Sequence, residues 1–126
     1  MEEQEIRNTI DTYLLAVKKG KGELFQKAFY SDAVVINAGE NDPKKATTPI
    51  AAFANMIKES IEAGTYIEEI PQGITISYVG RVANVRLDFK LIFGENTMWG
   101  TDYFNLVKRN KRWRISQKIY DVIRTG

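Results

Sequence analysis

Apolar residues recur with two different periods in this chain, and the change of period divides it near the middle. In the first half, Ile6, Ile10, Tyr13, Leu14 and Val17 follow helical spacing and form one apolar stripe. Lys18 and Lys19 suit the last turn of that helix, and Gly20 supplies its stop. A second short helix is predicted over Gly22 to Tyr30, burying Leu24, Phe25, Ala28 and Phe29. Ala33 to Ala38 reads as a β-branched strand, and Gly39 to Pro43 as a loop. Thr48 followed by Pro49 predicts a third helix, which presents Ile50, Phe53, Ile57 and Ile61 and ends at Gly64.

From Tyr66 onward the period falls to two. A short strand is predicted at Tyr66 to Ile70, closed by Pro71, and a longer one through Ile74, Ile76 and Tyr78. Gly80-Arg81 suits a two-residue turn. Ala83, Val85, Leu87, Phe89, Leu91 and Phe93 then share one face, against Asn84, Arg86, Asp88 and Lys90 on the other. Turns predicted at Glu95-Asn96 and Asn110-Lys111 pair Phe89 with Asp102, Leu106 with Ile115, and Asp102 with Ile119. Helices first and a four-stranded meander second predict an α+β fold over residues 1–126 as a single domain, with a pocket between helices and sheet.

Within that pattern one residue stands apart. Met98, Phe104 and Leu106 share a strand face with Asp102, so the alternation aims a carboxylate into the core. A buried carboxylate is costly unless it is hydrogen-bonded or protonated. Asp102 is therefore the first candidate for a site.

Composition narrows the chemistry available there. The chain has no cysteine and no histidine, which removes disulfides, thiolate nucleophiles, histidine-based triads and the usual zinc and iron ligand sets. No metal or cofactor is expected, and proton chemistry near neutral pH falls to carboxylates, Tyr or Lys. Eighteen basic and sixteen acidic residues leave a net charge of +2, which argues for neither a nucleic-acid nor a membrane partner. The basic cluster Lys108-Arg109-Asn110-Lys111-Arg112 lies at a hairpin tip, where charge keeps a turn solvated. The acidic first residues are followed by no apolar run, and a cytoplasmic location is expected.

The order helix, helix, strand, helix and long strands resembles the nuclear transport factor 2-like superfamily. So does the C-terminal pattern Thr101-Asp102-Tyr103-Phe104, Leu106, Lys108, Trp113, Ile115 and Lys118-Ile119-Tyr120, which looks most like its SnoaL-like and putative lumazine-binding branches. The resemblance implies a cone-shaped, curved antiparallel sheet with three N-terminal helices packed on its concave face. Thr12-Tyr13-Leu14 and Asp102-Tyr103-Phe104 are also similar to the ketosteroid isomerases, in which a Tyr and a protonated Asp donate hydrogen bonds to an oxyanion. The base of that family corresponds here to Asn37, which takes up no proton at useful pH.

The resemblance thus implies Tyr13 and Asp102 as a donor pair, with Asn37 and Gln117 as polar contacts. Phe29, Phe53, Ile57, Phe89, Met98 and Phe104 are read as core or cavity wall. Three functions follow as expectations. The first is binding of an apolar or aromatic small molecule bearing a carbonyl-like acceptor. The second is an isomerase- or lyase-type enzyme with Glu40 or Asp42 as base, and the third a dimeric assembly module without a ligand. The opposite sheet face, with Trp99, Tyr103 and Tyr120 beside Lys118, predicts a homodimer through the surface that superfamily members commonly use.

Overall fold

The computed structural model describes residues 1–126. Four helices, α1 (Glu2–Lys19), α2 (Gly22–Ala28), α3 (Pro43–Ala46) and α4 (Ile50–Glu62), accompany six strands. These are β1 (Phe29–Asn37), β2 (Thr47–Pro49), β3 (Ile67–Val79), β4 (Val82–Phe93), β5 (Asn96–Arg109) and β6 (Arg112–Thr125). They form one sheet in the order β2-β1-β6-β5-β4-β3. The cone-shaped α+β fold expected from the sequence is present, with two refinements. The sheet is mixed, because β1 runs parallel to β6, and a fourth short helix, capped by the Asp42 side chain on the Lys44 amide, begins at Pro43, the last residue of the predicted loop.

The α1 stripe buries Ile6, Ile10, Tyr13, Ala16 and Val17. These meet the inner face of the sheet, where Val85, Leu87, Phe104, Leu106 and Ile115 are fully buried. At about 25 cal/mol per Å² of apolar area, this interior supplies the main force for folding. The first turn of α1 is tied to the far end of the sheet: Glu2 accepts hydrogen bonds from Trp113 Nε1 (2.9 Å) and Lys108 Nζ (2.5 Å).

Pro71 does not end β3, as the sequence suggested. The two predicted strands are one strand with a bulge between Pro71 and Gly73, and a proline is tolerated because β3 is an edge strand. The short helix α2 stops at Ala28, so β1 begins at Phe29 rather than Ala33.

The turn between β4 and β5 falls on Gly94-Glu95, not Glu95-Asn96. Gly94 takes φ +63°, a conformation that glycine adopts without the penalty of a side chain. Moving the turn by one residue shifts the register by two, so Asp102 faces Leu87 rather than Phe89. The faces are unchanged, because side-chain parity survives an even shift.

The pairing of β5 with β6 is different. Leu106 pairs with Ile115 as predicted, but Asn105 pairs with Gln117, leaving Ser116 as an extra residue. Asp102 then faces Tyr120 instead of Ile119. One inserted residue reverses parity for the residues that follow, here as far as a second extra residue at Ile123. Lys118 and Tyr120, expected on the outer face, turn inward, while Gln117 and Ile119 turn outward.

Candidate functional site

The parity reversal builds the site. Tyr13 from α1, Glu69 from β3, Asp102 from β5 and Lys118 from β6 converge on one cavity of about 390 Å³. Its walls are mostly apolar and include Phe53 and Ile57 from α4, Phe89 and Leu91 from β4, and Met98 from β5. Asn37, Gly39 and Val122 also line it. Strand β6 reaches this position only because Gly100 has no side chain: a Cβ there would lie 2.1 Å from the Asp121 carbonyl oxygen.

Tyr13 is fully buried, and its hydroxyl donates to Glu69 Oε1 at 2.5 Å. Its ring packs edge-on against Phe104 (5.0 Å between centroids) and Phe29 (5.8 Å). Burial, then the neighbouring Glu69 and Asp102 charges, raise the Tyr13 phenol well above its ordinary value, so it stays a donor.

Asp102 has no solvent exposure, and neither of its carboxyl oxygens has a hydrogen-bond partner. Lys118 Nζ lies 3.7 Å from Oδ1, close enough for an ion pair but long for a hydrogen bond. Burial and the Glu69 charge push the Asp102 carboxyl well above the usual carboxylate range, and Lys118 only partly offsets them. Asp102 thus binds a proton more tightly than an ordinary carboxyl does. Glu69 Oε2 is likewise buried without a partner. The Lys118 ammonium is surrounded by rings, with centroids at 4.4 Å for Tyr120, 4.9 Å for Phe53 and 5.3 Å for Tyr13.

The other residues singled out from the sequence divide by position. Asn37 lines the cavity, although its Oδ1 accepts the Gly39 amide (3.0 Å). Gln117 does not reach the cavity: it accepts from Asn105 Nδ2 at 2.9 Å on the outer face, next to an Asn84–Asn105 bond of 3.0 Å. Phe104 supports the Tyr13 ring from the core. Phe29 borders a separate recess of about 340 Å³ between α2 and α4, which holds no carboxylate.

Glu40 and Asp42, the acids expected to reach inward, are turned to their own loop. Glu40 accepts the Asp42 amide and Asp42 the Lys44 amide, and neither lines the cavity. Besides Asp102, the acidic residues lining the cavity are Glu69 and Asp121, and of these Glu69 is buried. Its signal was parity: Glu69 shares a strand face with Ile67, and the two pair with Leu91 and Phe93. Lys118 had no such signal, because Ile115 and Ile119 suggest an unbroken alternation.

Solved structures share this architecture. An NTF2-like protein of unknown function from Silicibacter pomeroyi is 18% identical, with a TM-score of 0.77 over 97% of this chain and 96% of that one. One from Shewanella baltica is 25% identical, with a TM-score of 0.72 over 99% and 94%. A putative scytalone dehydratase from Novosphingobium aromaticivorans is 20% identical, with a TM-score of 0.81 over 99% and 86%. The fold is therefore that of the nuclear transport factor 2-like superfamily. The chain belongs to the putative lumazine-binding family, which matches residues 1–121. No curated protein matches it. No helix is long and apolar enough to cross a membrane.

Proposed function

We propose that this chain is a small-molecule-binding protein whose ligand fills the cavity between α4 and the sheet. The ligand is a flat apolar or aromatic metabolite with a carbonyl-like acceptor. Its ring lies along Phe53, Phe89 and Met98, and its acceptor meets the Asp102 carboxyl and the Lys118 ammonium. One observation carries this reading. Asp102 Oδ1, Asp102 Oδ2 and Glu69 Oε2 are buried with no hydrogen-bond partner, beside an open apolar volume of about 390 Å³. Buried polar groups nearly always have partners, so a visiting molecule is the natural source of the missing ones. The Tyr13 hydroxyl, already given to Glu69, has an orienting role in place of the direct donor role expected from the sequence.

The test is a thermal-shift and calorimetric screen of small metabolite acids, flavin-like rings and polyketides. A hit should lose about 10- to 100-fold in affinity in Asp102→Asn, the loss expected when a buried hydrogen-bonding group is mismatched. Equal affinity in that variant would refute the placement of the acceptor.

A second reading is favoured by Glu69. A buried carboxylate with one free oxygen suits the base of an isomerase- or lyase-type enzyme acting on a carbonyl-bearing apolar metabolite. It replaces Glu40 and Asp42 in that role. In the same proposal the protein is a cytoplasmic homodimer. Its interface on the outer sheet face keeps Trp99 and Tyr103 and exchanges Lys118 and Tyr120 for Ile36 and Ile119, which the strand pairing sets side by side. The open cavity speaks against an assembly module alone.

A further inference from the structure

Lys118 is only 5% exposed, lines the cavity, and has its nearest carboxylate oxygen, Asp102 Oδ1, at 3.7 Å. A lysine in such a position is more than a counter-charge. Amines become nucleophiles when they are held out of water next to a group that accepts and returns protons. We infer that Lys118 forms a covalent imine with an apolar or aromatic aldehyde or ketone in the cavity, with Asp102 carrying the protons. The inference rests on the reading of the cavity as a ligand site.

The step balances with the groups present. A proton passes from the Lys118 ammonium to the Asp102 carboxylate, leaving a neutral amine and a carboxylic acid. The amine nitrogen bonds to the carbonyl carbon, the C=O pair moves to oxygen, and that oxygen takes the Asp102 proton. The positively charged nitrogen then returns a proton to Asp102. The new hydroxyl takes this proton and leaves as water while the nitrogen lone pair closes the C=N bond. Ammonium and carbonyl become a protonated imine and water, with the charge conserved at +1.

Two features favour this sequence over a static ion pair. The Asp102 carboxyl, buried and near Glu69, has a raised affinity for the proton that Lys118 must give up. The product keeps its positive charge among the Tyr13, Phe53 and Tyr120 rings, which surround the ammonium at 4.4 to 5.3 Å and stabilise an iminium in the same way. The loss of ammonium hydration is already met by the fold, so it does not recur when the carbonyl compound binds.

The experiment treats the intact protein with 2-naphthaldehyde and sodium cyanoborohydride, followed by intact mass and peptide mapping. Lys118 should be reductively alkylated at least ten times faster than exposed lysines such as Lys58. Lys118→Arg and Lys118→Met should both lose the fast adduct, and Asp102→Asn should slow it at least tenfold. Labelling of Lys118 no faster than Lys58, read in the wild-type protein without any variant, would overturn the inference. So would a fast adduct that survives Lys118→Arg. Binding of 2-naphthamide, which forms no imine, separates the two readings. Its binding without any Lys118 adduct refutes the imine alone, and no binding of either naphthyl compound refutes the ligand site and the imine together.

Discussion

Replacing Asp102 by Asn should make the ligand-free protein more stable relative to wild type as the pH rises. Asp102 is fully buried, neither carboxyl oxygen has a hydrogen-bond partner, and its affinity for a proton is raised by burial and by Glu69. In the unfolded chain the same carboxyl titrates near its ordinary value of about 3.8. Between that value and the folded one, the native state holds a proton that the unfolded state has released. Wild-type stability therefore falls with rising pH over that window, by about 1.4 kcal/mol for each pH unit it spans. Below pH 3.8 both states are protonated, and this contribution is fully present. Asn carries no such proton, so the difference between variant and wild type should move in the variant's favour by about 1 kcal/mol or more between pH 4 and pH 7. The assay is urea unfolding of both proteins across that range, with the slope of ΔG against denaturant checked for constancy. A difference that stays flat with pH would refute the reasoning. A trend of the opposite sign would mean that Asp102 is an ionised partner of Lys118 with a lowered pKa.

Other expectations can be checked by the same or simpler measurements. Tyr13→Phe removes the only donor to Glu69 Oε1 and should cost about 1–3 kcal/mol, read as a lower urea midpoint; an unchanged midpoint would show that this bond contributes nothing. Gly100→Ala places a methyl group against the Asp121 carbonyl and should destabilise by at least about 1–3 kcal/mol, whereas a neutral result would mean that β6 moves aside freely. Ile119→Asp on the outer face should convert a dimer into a monomer by sedimentation without lowering the thermal midpoint measured at high dilution. If the wild-type protein sediments as a monomer, the proposed interface falls. For the enzyme reading, Glu69→Gln should abolish exchange of a bound ketone's α-protons for deuterium, and undiminished exchange would exclude Glu69 as base.

Sequence alone determined the elements whose causes are local. The α1 stripe, the alternation of β4 and β5, and the turn at Gly80-Arg81 need only a periodic pattern and residues suited to their backbone angles. The turn at Asn110-Lys111 was equally legible, although both residues take positive φ (52° and 66°). Asp102 was legible for the same reason: Met98, Phe104 and Leu106 on its strand face are apolar, and parity carries it inward. A misplaced turn at Gly94 did no harm, because an even register shift preserves the faces.

Tertiary structure decided the composition of the site. Tyr13 and Glu69 lie 56 residues apart, and no local pattern brings α1 to that point of β3. The bulge at Ser116 decided more still, since it exchanged Gln117 and Ile119 for Lys118 and Tyr120 on the inner face. No composition in β6 marks that residue as extra. A buried lysine is unfavourable by local rules, and it becomes tolerable only when Asp102 and three aromatic rings from distant elements surround it. Parity is a local property that propagates along a strand until one unpaired residue inverts it, and where that residue falls depends on how the whole cone closes.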